Sequence, residues 1–341
     1  MTTYSLPQPY LLFMGDATEA GFAKTALGLK DWAPERCVGE WTLPGGTVST
    51  GLPMLSPRQA RAEGARAMLV GVAAVGGAIM PHWIPALIEA LEAGLDLVSG
   101  MHTRMADTPA LAEAAARCGR RLYDVRTPPP DIPIGKGKRR TGRRLLTVGT
   151  DCALGKKYTA LALANALKSR GIPADFRATG QTGIMIAGAG IPIDAVVSDF
   201  VAGAAEALSP AADPAHWDVV EGQGSLFHPS FAAVSLGLLH GSQPDVIVLC
   251  HEAGRTTMLG LPDYPVPSLR EAIDLHLALA RRVNPAVKVA AVSLNTSQLG
   301  EDAALAAIKA VRDELGLPCA DPLRHPDAFA SVVDACLAAV R

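Results

Sequence analysis

A chain of 341 residues, 49% hydrophobic and 19% charged, has the make-up of a folded globular protein and exceeds the usual size of one domain, so two domains with separate cores are expected. Lys and Arg total 31 against 33 Asp and Glu, and a net charge of −2 offers no general field for nucleic acid. Cys37, Cys118, Cys152, Cys250, Cys319 and Cys336 are far apart, with no CxxC pair or histidine spacing for zinc, which reads as reduced, mostly buried thiols and no metal. No basic segment precedes an apolar one at the N-terminus. The most apolar longer stretch, Ala67 to Met80, contains glycines and stops at Pro81, well short of a membrane span. A cytoplasmic protein without membrane or nucleic-acid partners is expected.

Tyr10 to Met14 is an apolar run closed by Gly15 and Asp16, and Ala20 to Leu29 has helical character, a first βα unit. Glu35 to Thr47 mixes turn formers with the makings of a second strand. From Ser56 the rhythm is regular: helix over Arg58 to Ala65, strand at Ala67 to Val70, helix from Pro81 to Ala93, strand at Leu95 to Val98, helix over Pro109 to Cys118, strand at Arg121 to Val125. Such alternation predicts an α/β fold with a parallel sheet covered by helices on both faces. The turn with Gly71, Gly76 and Gly77 lacks a clean GxGxxG, and close helix packing or a plain turn explains it equally well. The next turn, SGMHTRMAD, carries His102, Arg104 and Asp107 at the ligand edge of such a sheet, where Arg104 suits a carboxylate or the loop is simply solvated.

Thr127 to Gly142 breaks the composition with three prolines, glycines and a basic run, and reads as a linker between a domain at 1–126 and one at 143–341. Lys136, Lys138, Arg139, Arg140, Arg143 and Arg144 form either a solvated face or a source of attraction for phosphate.

The strongest motif follows. An apolar run, Leu145 to Val148, feeds Gly149-Thr150-Asp151-Cys152-Ala153-Leu154-Gly155-Lys156, and a helical pattern, Tyr158 to Arg170, leaves it. Strand, glycine-bounded turn and helix make a phosphate loop, in which converging backbone N–H groups, a helix N-terminus and a lysine meet phosphate oxygens. Five residues separate the two glycines instead of four, a length that resembles the dethiobiotin-synthetase-like branch. Lys157 stands where a Ser or Thr normally holds magnesium, so phosphate binding is expected ahead of magnesium-assisted phosphoryl transfer. Thr159 is the nearest substitute hydroxyl.

Beyond it, Ala174 to Ala178 is a strand ending in the turn ATGQTG, where Gln181 and Thr182 offer neutral hydrogen bonds. Val196 to Leu208 is a helix and Asp218 to Val220 a short strand. Glu221-Gly222-Gln223-Gly224-Ser225 then places a carboxylate beside glycines, making Glu221 the first candidate base or, alternatively, a turn carboxylate. His228 is close enough in chain to share that site. Val246 to Cys250 is a core strand that delivers His251, Glu252 and Arg255 to the same edge, without zinc-protease spacing. Pro262 to Pro267 is a loop, Ser268 to Arg282 an amphipathic helix and Lys288 to Leu294 a last core strand. Asn295 follows it, able to read a purine edge or to turn the chain.

The strings GTDCALGKKYTALAL, RATGQTGIMIAG, WDVVEGQGSLFHPSF and SLGLLHGSQPDVIVLCHE, with PYLLFMGD, HWIPALIEALEAGLD and SGMHTRMAD, together resemble a bacterial family of domains of unknown function. Its members pair an N-terminal Rossmann-like domain with a C-terminal P-loop domain, and within it the likeness is to the D-glutamate N-acetyltransferases. The resemblance covers nearly the whole chain. It implies transfer of acetyl from acetyl-CoA to the amino group of D-glutamate. CoA phosphates would then lie on Gly149 to Lys156, with Lys157 and Asn295 beside them. A base would come from Glu221, His228 or His251, and cations for the two substrate carboxylates from Arg104, Arg177 and Arg255, with Gln181 and Thr182. Cys152 is read as packing. The rival classes are a magnesium- and ATP-dependent kinase or ligase acting on a small carboxylate, and a sensor that binds without turnover. A homo-oligomer is expected on general grounds.

Overall fold

The computed structural model describes residues 5–72 and 77–340, so the Gly76 considered above lies outside the described residues. The described residues group into two compact units, one formed within 5–129 and by 181–195, the other by 130–180 and 196–340.

The first unit contains β1 (Tyr10–Gly15), α1 (Lys24–Trp32), β2 (Cys37–Thr42), α2 (Pro57–Ala62), β3 (Ala67–Val70), α3 (Ile84–Glu92), β4 (Asp96–Ser99), α4 (Pro109–Cys118) and β5 (Leu122–Asp124). Its strands form one parallel sheet in the order β2-β1-β3-β4-β5. β1 and β3 are buried along their whole length, as strands covered on both faces must be, which is why they read as unbroken apolar runs. Short 3-10 turns precede α1 and α3 where the sequence predicted continuous helix.

The chain then runs through β6 (Arg143–Gly149), α5 (Lys156–Ser169), β7 (Ala174–Arg177), α6 (Gln181–Ala187), α7 (Val201–Leu208), β8 (Trp217–Val220), α8 (Ala232–Ser242), β9 (Val246–Glu252), β10 (Thr257–Met258), β11 (Leu261–Pro265), α9 (Leu269–Ala280), β12 (Lys288–Asn295), α10 (Glu301–Leu315), β13 (Cys319–Ala320) and α11 (Ala330–Ala338). Six strands form a second parallel sheet, β13-β12-β9-β6-β8-β7, with β6 and β9 central. Leu145, Val219, Val246 and Val248 pack against Leu163 and Leu167 of α5 and Val332 and Val333 of α11.

Four local expectations change. The second half of ATGQTG is the first turn of α6, and residues 181–195 group with the N-terminal unit, so the stretch 143–341 is not one continuous body. Pro262 to Pro267 is not a loop: β11 pairs antiparallel with β10 around Gly260, whose φ of +79° suits a tight turn. β13 adds an edge strand beyond β12. Helix α8 had no sequence signal because Gly237 and Gly241 interrupt it, and both are required by packing. A Cβ on Gly237 would press into Val201, and one on Gly241 into the Ala202 backbone of α7.

The basic run lies at the wrong end of the sheet to attract phosphate. Arg143 and Arg144 begin β6, whereas the phosphate loop leaves its other end. Arg144 is fully buried, donating to the carbonyls of Arg140, Thr141 and Gly142, and Arg139 meets Asp245 at 3.0 Å. Arg140 donates to the Gly241 carbonyl at 2.8 Å, and the Glu206 carboxylate accepts the N–H groups of Lys136 and Gly137. The run fastens the chain entering β6 to α7 and to the α8–β9 connection.

Candidate functional site

The GTDCALGK segment leaves β6 at the centre of its sheet and closes onto α5. Ala153 (φ +53°) and Gly155 (φ +106°) both take left-handed backbone, which folds the loop into a concave turn, and Gly155 caps α5. Among the described residues, the N–H groups of Ala153, Leu154 and Gly155 have no intramolecular acceptor. Lys156 is buried, its ammonium donating to the Asp151 carbonyl at 2.7 Å, and that burial lowers its pKa from the usual lysine value. A cradle of backbone donors with a desolvated lysine is what an anionic phosphate would complete.

Asp151 fastens the loop, with both of its oxygens taken by internal donors. Fully buried, it accepts the Cys152 N–H (2.6 Å) on one oxygen, and the Arg255 guanidinium and Leu259 N–H (both 2.8 Å) on the other. Burial pushes its carboxyl up, but these donors outweigh that and hold it below the usual carboxylate range. Arg255 also donates to the Cys152 carbonyl and pairs with Glu252, so the cation expected for a substrate carboxylate braces the loop instead.

Two neighbouring turns are tied to the same loop. Ser225 donates to the Thr150 carbonyl at 3.0 Å, and Thr150 Oγ1 lies 2.8 Å from His251 Nδ1 at the end of β9. Burial, helped by the Arg255 charge, pushes His251 down to about 4, leaving a neutral imidazole at physiological pH. His228 is buried and stacked on Phe231, and its Nδ1 accepts the Ser230 N–H at 3.1 Å, which puts the proton of the neutral ring on Nε2. In that tautomer it donates and does not abstract. Asp151, Cys152 and His228 bring ligand-type atoms within 4.8 Å of one another. Both Asp151 oxygens and His228 Nδ1 are already engaged, so the donor set does not fit a metal. Burial raises the Cys152 thiol, against the lowering influence of Lys156.

Glu221 is buried, and its Oε2 accepts the N–H groups of Thr179 (2.9 Å) and Gly180 (3.1 Å), while Thr179 Oγ1 donates back to the Glu221 carbonyl. It therefore holds the turn after β7. Next to it, a Cβ on Gly222 would collide with the Thr147 carbonyl oxygen, and the Gly222 N–H bonds Thr147 Oγ1 at 3.0 Å.

The remaining expected positions separate. Thr159 bonds Ser293 inside the core and cannot replace the missing magnesium hydroxyl, and the Lys157 ammonium lies 4.5 Å over the Tyr158 ring. Arg177 is held by Asp218 and Asp175. Asn295 accepts the Ser297 N–H at 3.0 Å and turns the chain. In the other unit, Arg104 is exposed beside Asp107, Thr182 meets Thr25 at 3.3 Å, and Gln181 lines a cavity. Sequence reasoning missed Thr147 and the buried His276, neither of which lies in a recognisable motif, and gave Ser225 of the EGQGS turn no role of its own.

The C-terminal P-loop domain of a family described as a domain of unknown function, DUF1611, matches residues 133–330, and its N-terminal Rossmann-like domain matches residues 35–128. The chain belongs to the DUF1611 family. Among its relatives, a D-glutamate N-acetyltransferase of Tritonibacter scottomollicae is 51% identical over 317 residues, 93% of this chain and 95% of that protein. Another D-glutamate N-acetyltransferase, from a Pseudoalteromonas species, is 48% identical over 93% of this chain and 95% of its own. The crystal structure of a DUF1611 family protein from Anabaena variabilis is similar with a TM-score of 0.85 and 35% identity, covering 97% of this chain and 99% of that one. This family membership agrees with the two parallel-sheet units and with the phosphate loop between β6 and α5.

Proposed function

We propose that this chain is an N-acetyltransferase that moves acetyl from acetyl-CoA to the amino group of D-glutamate. The observation that carries the reading is near-half identity, over 93% of the chain, to two proteins named for that activity. The loop geometry supports the donor. CoA carries phosphates but is not cleaved at them, and this loop offers backbone donors and Lys156 while Lys157 occupies the magnesium-hydroxyl position. Neutral His251 accepts the proton that the substrate ammonium must lose before attacking the thioester. The His228 Nε2–H stabilises negative charge on the acyl oxygen. Glu221 and Asp151 hold the surrounding turns.

The test is free-thiol release from acetyl-CoA with D-glutamate, L-glutamate or no acceptor. Release confined to D-glutamate supports the reading, and no release with any amino acid overturns it. We further propose a cytoplasmic homo-oligomer, which light scattering on the purified protein checks for mass.

A further inference from the structure

The N-terminal unit carries an open cavity of about 200 Å³ that the phosphate-loop chemistry does not use. We infer that this cavity is the pocket for the acceptor, a small amino dicarboxylate. The inference rests on the acetyltransferase reading and names where the second substrate sits.

Position is the first argument. Val70 and Val72 at the end of β3, and Gly100, Met101 and His102 after β4, line the cavity, at the C-terminal edge of an open parallel sheet and beside the β1–β3 boundary where strand order reverses. Ligands of such sheets bind at that edge. Chemistry is the second. The valines, with Met101 and Met185, give apolar walls for methylene groups, while Thr25, His102, Arg126 and Gln181 supply polar groups. Among the described residues the side chains of His102 and Gln181 have no hydrogen-bond partner. Arg126 uses Nε on the Gly100 carbonyl (2.9 Å) and Nη1 on Asp194 (2.6 Å), which leaves Nη2 for a carboxylate.

Construction is the third argument. Gln181 and Met185 belong to α6, part of the one segment that crosses from the C-terminal half of the sequence into this unit. A Cβ on Gly100 would lie 3.0 Å from Gln181 Cβ, Gln181 Cγ and Met185 Cε, tighter than ordinary contact, so the glycine lets that helix pack closely beside the cavity.

The test is calorimetric titration of D-glutamate into the protein saturated with CoA, together with steady-state KM values for both substrates. Gln181→Ala and His102→Ala should each weaken D-glutamate binding and raise its KM by about tenfold, the loss of one hydrogen bond to a charged group, with the KM for acetyl-CoA unchanged. Val72→Phe should abolish binding by filling the cavity, and circular dichroism checks that it folds; the two alanine variants decide the matter if it does not. Unchanged D-glutamate affinity in both alanine variants, or a KM effect on acetyl-CoA instead, overturns the pocket while leaving the activity standing. If wild type releases no thiol, the acetyltransferase reading fails, and the titration still decides the pocket: binding lost in the variants retains it, and no binding overturns it.

Discussion

The Asp151 carboxylate and the Arg255 guanidinium meet at 2.8 Å, joining the phosphate loop to the segment that follows β9. Asp151 is fully buried, and Arg255 reaches on to the Cys152 carbonyl. Removing one partner of such a pair leaves a charge out of water without compensation. Arg255→Ala should therefore cost about 3–5 kcal/mol of stability in urea denaturation. It should also raise the KM for acetyl-CoA as the loop loosens. A variant with wild-type stability would show that the pair does not hold the loop.

Glycines near the site should divide by what surrounds them. At Gly222 a Cβ would meet the Thr147 carbonyl, which belongs to a central strand and cannot retreat, so Gly222→Ala should lose about 3 kcal/mol or more. At Gly254 φ is +82° but no atom lies within 4 Å of the added Cβ, so Gly254→Ala carries only the left-handed backbone cost, about 1–2 kcal/mol. Differential scanning calorimetry of the two variants gives the comparison, and equal losses would refute the steric account.

These two cases also show where the sequence was informative. Parallel strands such as β1, β6 and β9 are legible because burial on both faces forces unbroken apolar runs, and the loop from Gly149 to Lys156 because strand, glycines and lysine fall at fixed spacing. Arginine roles were not legible. Arg144, Arg177 and Arg255 carry the same charge in sequence whether they meet a ligand or an internal carboxylate, and only tertiary placement of Asp245, Asp218 and Asp151 decides. The transfer of residues 181–195 to the other unit was hidden for a similar reason, since an apolar helix does not announce which core it joins.

His276 predicts an acid weakness. It is buried in α9, its Nδ1–H donating to the Ala272 carbonyl at 2.7 Å, and burial pushes it down to about 4. Between that value and the ordinary histidine pKa of about 6.5, the unfolded chain binds a proton that the folded chain does not. Stability therefore falls as pH drops through this window, by about 1.4 kcal/mol per pH unit for this group. Denaturation midpoints from pH 7 to pH 4.5 should show that slope reduced in His276→Leu, with His251 contributing to what remains. An unaltered slope would place the acid sensitivity elsewhere.

His251 carries the clearest catalytic prediction. With its pKa near 4 it stays neutral throughout the range where the protein is expected to work, and in the tautomer that donates Nδ1–H to Thr150 Oγ1, 2.8 Å away, Nε2 keeps a lone pair for the substrate ammonium. Because the shift is downward, the acid limb of kcat/KM should fall off only as pH approaches about 4, below an ordinary histidine. His251→Ala should lower kcat by about 10²–10⁴-fold, the usual size of a general-base effect, with little change in the KM for acetyl-CoA. Thr150→Val removes the group that orients the ring without removing the base, so it should lower kcat by less and keep the acid limb in place. If His251→Ala retains full kcat, the proton goes elsewhere, and Glu221 would be the next residue to replace.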